Sequence, residues 1–235
     1  MIRKTYQLLA SLNLGIWLIV GVLLLMAAGS FASGEGPVGS LNDMPLFVWL
    51  EAAPLASSWW LWGAIILLAV LALNTILCSI ESLRSKAGRG KFWIIIAPQV
   101  MHLGFLFIML AHLMSAWGGY KQVMQVQEHS VIGFPDGSSV RVGPISASLG
   151  PRGMMTEFGA EMAYREGGKE LTRRVSPNNP LFHKGIGIYV KDVAMMPMPA
   201  ALVEIHREPG AGLALGGALL FTLGNVVLVT VRRGK

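Results

Sequence analysis

The sequence predicts an integral membrane α-helical protein with four transmembrane helices and an extracytoplasmic all-β domain inserted between helices 3 and 4. Three observations predict this. The 235-residue chain is 53% hydrophobic and 14% charged, with a mean hydropathy of +0.56, as expected of a chain solvated largely by lipid. Four apolar runs are each long enough to cross a hydrocarbon core of about 30 Å at about 1.5 Å per residue. Between the third and fourth runs lies a long polar segment in which short extended stretches alternate with turn signals. The expected organisation is a membrane region over 1–117 with spans at about 12–32, 59–80 and 92–117. A β domain covers 118–209, and a fourth span and tail cover 210–235.

Arg3 and Lys4 precede the first apolar run, Leu12 to Ala32. Ser30-Phe31-Ala32 resembles a small-residue cleavage site, so a cleaved signal peptide is the competing reading of this run. Residues 33–58 are rich in Gly, Pro and Ala and carry Glu35, Asp43 and Glu51 but no Lys or Arg. They read as a loop with a short interfacial helix around Pro45 to Ala53, whose Phe47 and Trp49 suit a headgroup layer. Trp59, Trp60 and Trp62 open the second span as an aromatic belt. Asn74 inside it reads as a helix–helix hydrogen bond rather than a ligand. Residues 81–91 form a basic loop with Arg84, Lys86, Arg89 and Lys91 against Glu81. The last apolar run ends in Arg232, Arg233 and Lys235.

This charge distribution sets the expected topology. Four spans place the N-terminus, the 81–91 loop and the C-terminus on one side, and all three are basic. The positive-inside rule makes that side cytoplasmic and leaves 118–209 outside. The ten Lys and Arg of that segment do not oppose the assignment, because long domains translocate largely regardless of charge. The net charge of +6 flanks apolar runs and forms no single patch, which excludes a nucleic-acid binder.

The outer segment reads as β. Residues 161–166 and Lys169 to Val175 flank Gly167-Gly168, a hairpin signal. Pro135-Asp136-Gly137 is a second turn. Gly187 to Val193 and Ala201 to His206 read as strands, and the whole suggests a small sandwich or partial barrel.

Chemistry-bearing residues are sparse. Cys78 is the one cysteine, so the chain itself has no intramolecular disulfide and no CxxC motif. It lies at the cytoplasmic end of the second span and reads as an inert small hydrophobe. There is no hydrolase elbow, HExxH or phosphate loop. His129, His183 and His206 are scattered and read as structural or solvated, since none has a second ligand at a metal-site spacing. The third apolar run, Phe92 to Trp117, has no Asp, Glu, Lys or Arg but contains His102 and His112. His102 lies about 15 Å into the run, near mid-bilayer, where an ionisable side chain needs a partner, a cavity or a metal. Ten residues separate the two histidines by about 80° in azimuth and about 15 Å in height, so they cannot share one iron. At this point His102 stands open between a ligand or relay and a helix–helix hydrogen bond. His112 is the weaker candidate, nearer the outer interface.

Four stretches together resemble the ResB (CcsB) family of system II cytochrome c biogenesis proteins. They are SLNLGIWLIVGVLLL at 11–25, SSWWLWGAIILLAVLALNTILCSIESL at 57–83, HLGFLFIMLAHLMSAWGGYK at 102–121 and NNPLFHKGIGIYV at 178–190. The order of three spans, a β domain and a last span is similar to that family too. The resemblance implies a ResC (CcsA)-type multi-span partner, with which the chain binds haem b, moves it outward and presents it to the CxxCH thiols of apocytochrome c. It implies that His102 is an axial ligand to haem iron, opposite a histidine of the partner, and it assigns no role to His112. It further implies a thiol-reducing protein outside, a prokaryotic cytoplasmic (inner) membrane, and a chain that is one subunit of a haem lyase rather than an enzyme alone. Two other readings stay open: a quinone-linked haem-b electron-transfer subunit, and a non-catalytic assembly scaffold.

Overall fold

The fold is a computed structural model that describes residues 2–32, 44–86, 92–151 and 154–233. It divides into two units, Met1–Trp117 with Pro209–Lys235, and Gly118–Glu208. The helical unit contains α1 (Ile2–Leu9), α2 (Leu12–Ala32), α3 (Leu46–Ala52), α4 (Leu55–Lys86), α5 (Phe92–Gly118) and α6 (Ala211–Arg233). Of these, α2, α4, α5 and α6 are long and apolar enough to cross a membrane. Together with a separate β-sheet region, they make the chain a membrane protein with a β domain.

The joint between α1 and α2 follows from unsatisfied backbone groups at helix ends. Ser11 caps α2, its Oγ accepting the Leu14 N–H at 3.2 Å, as small hydroxyl residues do. On the facing helix α4, Asn74 donates through Nδ2 to the carbonyls of Leu9 at 2.6 Å and Ser11 at 3.0 Å. Asn74 is therefore an interhelical clamp, as expected, and its targets lie at the α1–α2 break, where the Ser11 carbonyl also accepts the Gly15 N–H at 3.3 Å. α1 itself was not expected. Its Tyr6 Oη donates to Glu81 Oε2 at 3.2 Å, so it runs back beside the far end of α4. The antiparallel α2–α4 contact is close because glycines face side chains: Gly15 abuts Asn74, Gly21 abuts Leu67, Gly63 abuts Leu25 and Gly29 abuts Trp60.

Two expectations for this region need correction. α4 spans Leu55–Lys86, well beyond 59–80. Hydropathy marks only the apolar part, and no Pro or Gly interrupts residues 64–86, so the helix runs on through its charged end. The helix expected around 45–53 is present as α3, but Trp49 is buried there with Leu50, Trp60 and Leu61. Its indole packs within the protein, not among headgroups. The rest of the expected 33–58 loop, residues 33–43, lies outside the described residues.

α5 and α6 form a second antiparallel seam of small residues. A Cβ placed on Gly104 would lie 2.6 Å from both the Gly217 carbonyl oxygen and the Phe221 nitrogen. One on Gly217 would lie 2.7 Å from the Gly104 oxygen, and one on Gly224 would lie 2.9 Å from the Ala97 oxygen. Gly210 abuts the Ala111 carbonyl, and its N–H donates to Ser115 Oγ at 3.3 Å. Ala97, Gly104 and Ala111, spaced by seven, are buried. Lipid tails are as apolar as leucine, so helices in a bilayer gain little by merely hiding apolar surface. Close backbone approach across small residues holds them instead.

The second unit is a sandwich of two four-stranded antiparallel sheets, ordered β1-β8-β7-β6 and β2-β3-β4-β5. Its strands are β1 (Tyr120–Gln127), β2 (Val131–Gly133), β3 (Ser139–Leu149), β4 (Met155–Glu166), β5 (Lys169–Val175), β6 (Leu181–His183), β7 (Ile186–Ala194) and β8 (Ala200–Arg207). Alternation on each strand sends Val140, Val142, Met162, Ile188, Val190, Val203 and Ile205 into one core. Glu166 pairs with Lys169 across Gly167 and Gly168, both at positive φ, the two-residue turn that matches strand twist. At Gly143-Pro144 the β3–β4 register shifts. The Ile145 N–H there donates to Glu128 Oε1 at 2.7 Å.

Candidate functional site

His102 is half-buried on α5, its Nδ1 2.7 Å from Ser79 Oγ on α4. Counting protons limits which group donates. A serine hydroxyl has one hydrogen, and the Thr75 carbonyl stands 2.8 Å from the Ser79 oxygen as its other acceptor. The opposite tautomer would take the Ser79 hydrogen at Nδ1; in the tautomer that keeps this hydrogen on Thr75, the short contact is an Nδ1–H donating to the Ser79 oxygen. In a neutral ring this leaves Nε2 unprotonated, with a lone pair able to take a metal. A histidine whose other nitrogen is held by an oxygen acceptor is the arrangement that orients metal-ligating imidazoles generally.

One helical turn before His102 stands Gln99, on the same stripe of α5. Its amide nitrogen and oxygen are both buried, with no hydrogen-bond partner among the described residues. Pro98 precedes it inside the helix and removes the backbone bond that its own N–H would give to Ile94. Such interruptions recur in membrane helices where other groups can re-satisfy the backbone. The neighbourhood of His102 thus combines an oriented imidazole, an orphaned amide and a broken backbone ladder in one apolar span.

The remaining candidates are not gathered with it. His112 is exposed on the same helix, about 15 Å further along the axis. Cys78 is a half-buried free thiol adjacent to Ser79 in sequence. His129 is exposed at a left-handed turn with φ 65°. His183 is buried, its ring 5.1 Å from that of Tyr164. His206 brings Nε2 to 2.7 Å from Glu204 Oε1, an ion-pair distance without hydrogen-bond alignment. Lys121 at 3.0 Å and Lys191 at 3.6 Å flank the same carboxylate. Burial pushes the Glu204 carboxyl up, but the Lys121 hydrogen bond and the charges of His206, Lys121 and Lys191 together leave it below the usual glutamate value. This is a structural ion-pair cluster on the central strand of its sheet. Among the described residues no three His, Cys, Asp or Glu side chains gather to hold a metal ion.

Sequence reasoning missed Ser79 and Gln99. Gln99 had a visible signal, a polar residue one turn from His102. Ser79 had none, because only tertiary packing brings α4 and α5 together.

Residues 87–202 match the model of the ResB-like family. Cytochrome c biogenesis protein CcsB of Gloeobacter violaceus is 26% identical over 166 residues, 59% of this chain and 34% of that protein. The protein of the same name from Synechococcus sp. is 26% identical over 125 residues, 51% of this chain and 29% of that protein. The chain therefore spans about a third of the length of these curated relatives. A solved structure of cytochrome c heme lyase CcmF aligns with 88% of this chain and 34% of its own, at a TM-score of 0.46 and 14% identity, a likeness too slight to carry a conclusion. The matched segment, residues 87–202, takes in α5 and the sandwich as far as β8, and over it the chain is similar to the ResB-like family.

Proposed function

We propose that this chain is a membrane subunit of cytochrome c biogenesis that binds haem b at His102 and works with a ResC (CcsA)-type multi-span partner. One observation carries the reading: the Thr75–Ser79–His102 chain of hydrogen bonds, which, with the ring proton on Nδ1, leaves the Nε2 lone pair open to a metal inside an apolar span. The donor set fits haem iron, for which neutral imidazole is a standard axial ligand. The apolar helices suit a macrocycle, and the unpaired Gln99 amide suits a site completed by a further polar group. As cargo, haem is the group that becomes joined to the CxxCH thiols of apocytochrome c. The chain's own part is to bind, orient and present: Ser79 holds the ring, and His102 gives the iron an address. The second axial ligand comes from the partner, since α2, α4 and α6 contain no histidine. A thiol-reducing protein keeps the apocytochrome cysteines reduced.

In this proposal the basic N-terminus, the basic 81–91 stretch and the C-terminus are cytoplasmic, and the β domain inserted between the third and fourth spans is extracytoplasmic, in a prokaryotic inner membrane. The domain limits are 118–209 for the β domain and 210–235 for the last span and tail. The chain is one subunit of a holocytochrome c synthase and not an enzyme alone. His112, exposed on α5 and without a hydrogen-bond partner among the described residues, would be a peripheral haem contact only.

The Ser79 bond would serve packing equally well, which favours one rival, a non-catalytic assembly scaffold. The test co-purifies wild type and His102→Ala with the multi-span partner and compares absorption spectra, haem content and cytochrome c yield. Loss of a six-coordinate haem spectrum and of cytochrome yield in the variant is expected. Unchanged haem and yield would assign His102 to packing and overturn the proposal.

A further inference from the structure

A cleft of about 360 Å³ opens in the β sandwich among the β2–β3, β4–β5 and β6–β7 turns. Its lining includes Arg141, Tyr164, Arg165, Glu170, His183 and Lys184. The volume is at the lower end for small-molecule sites. We propose that this cleft is an oxyanion-binding site, taking one carboxylate or phosphate group against the Arg165 guanidinium.

Charge pairing singles out Arg165. Glu170 stands directly opposite Arg165 in the β4–β5 register, yet its carboxylate lies 3.5 Å from Arg141. Lys184 is matched by Asp136 at 3.3 Å. Arg165 forms no ion pair with any described residue. The cleft therefore has one cation in excess, and a guanidinium fork is shaped for two-point contact with a carboxylate or phosphate. Arg141 pairs with Ala163 across β3–β4, so Arg165, two residues on, shares its face of the sheet. The small Ala163 side chain between them leaves room for a ligand.

Backbone conformation is the second observation. Lys184 and Gly185 form a two-residue turn between the paired His183 and Ile186, with φ of 49° and 77°. Glycine or asparagine takes this conformation readily, whereas lysine is disfavoured by its Cβ. The disfavoured residue puts an ammonium on the cleft, and conformational cost of this kind concentrates at binding sites. Directly beside it His183 is buried, at 5% exposure, with its ring 5.1 Å from that of Tyr164, so packed side chains back the cations.

The test uses the full chain with ¹³C-methyl alanine, and the Ala163 methyl is the reporter. In phosphatidylcholine nanodiscs, inorganic phosphate and acetate are titrated against chloride at matched ionic strength. A parallel sample replaces part of the lipid with phosphatidylglycerol. The expected result is a saturable shift of the Ala163 signal, weakened at least tenfold in Arg165→Gln. A shift with the soluble anions identifies a soluble ligand. A shift only with phosphatidylglycerol identifies a lipid headgroup, and either supports the site. Lys184→Gly should bind more weakly yet melt at a higher temperature, since glycine relieves the turn. No saturable shift in any arm, an equal shift in Arg165→Gln, or a lower melting temperature with unchanged binding in Lys184→Gly would overturn the proposal.

Discussion

Replacing Ser79 with alanine tests the proton accounting at His102 more sharply than replacing the histidine. The substitution removes the one acceptor on Nδ1 and changes little else. The α4 backbone keeps its own bonds, and alanine is the better helix former. The ring then holds an unpaired N–H in an apolar span or changes tautomer, which puts the proton on the nitrogen needed by iron. Leaving a buried donor unpaired costs about 1–3 kcal/mol. Side-chain hydrogen bonds in bilayers average nearer ~0.6 and reach ~1.7 kcal/mol, because the separated helices find other partners. Loss of an outer-shell partner typically weakens metal binding about 10–100-fold. These ranges overlap at about 1.4–1.7 kcal/mol, a loss of about 10–16-fold in haem affinity at about 1.4 kcal/mol per tenfold. The assay is haem retention by the protein co-purified with its partner, titrated with a competing apo-haem-binding protein. Ser79→Thr keeps a hydroxyl and should restore most of the affinity. Full retention in Ser79→Ala, with His102→Ala losing haem, would refute the tautomer reasoning and leave the ligand assignment standing.

Two further outcomes follow from local geometry. Gly104→Val drives a side chain into the backbone of α6, where the nearest atoms are the Gly217 carbonyl and Phe221 nitrogen. Backbone cannot yield as a side-chain tip can, so the cost should reach the upper part of the ~1–3 kcal/mol range for overpacking. Thermal unfolding in detergent reads it, with Gly216→Ala as control: nothing lies within 4 Å of a Cβ there, and the helix should gain about 0.5–1 kcal/mol. In the sandwich, the Ser138 hydroxyl and then its N–H hold the Asp136 carboxyl down to about 2, against an ordinary 3.8, with a smaller pull from Lys184. A carboxyl depressed on folding adds stability above its unfolded value and loses it as pH falls through the folded one. The Asp136 contribution is therefore full well above the unfolded value of 3.8 and is lost as pH falls through about 2. Asp136→Asn should flatten that part of the acid-unfolding profile followed by circular dichroism, and an unchanged profile would contradict the assignment.

Chain-local physics made much of this protein legible. Four apolar runs mark helices because length and hydropathy act residue by residue, and Gly167-Gly168 marks a hairpin because glycines take the positive φ of a two-residue turn without strain. His102 stood out because an ionisable group in an apolar run conflicts with its solvent. The helix ends were not legible, since hydropathy reports where lipid begins and not where backbone hydrogen bonding stops, and α4 runs well past 80 for that reason. Trp49 looked like an interfacial anchor because an aromatic beside a span has that meaning in one dimension, and only packing against Trp60 and Leu61 buried it. The partners of polar side chains were hidden for the same cause. Asn74 meets carbonyls 63 and 65 positions away, and Ser79 meets His102 across 23. The sequence by itself determined which segments are helix or strand and which residue is costly in lipid. Only the tertiary structure decided which group meets that residue's ring nitrogen, because a hydrogen bond depends on where two helices bring their atoms, and no local pattern encodes that distance.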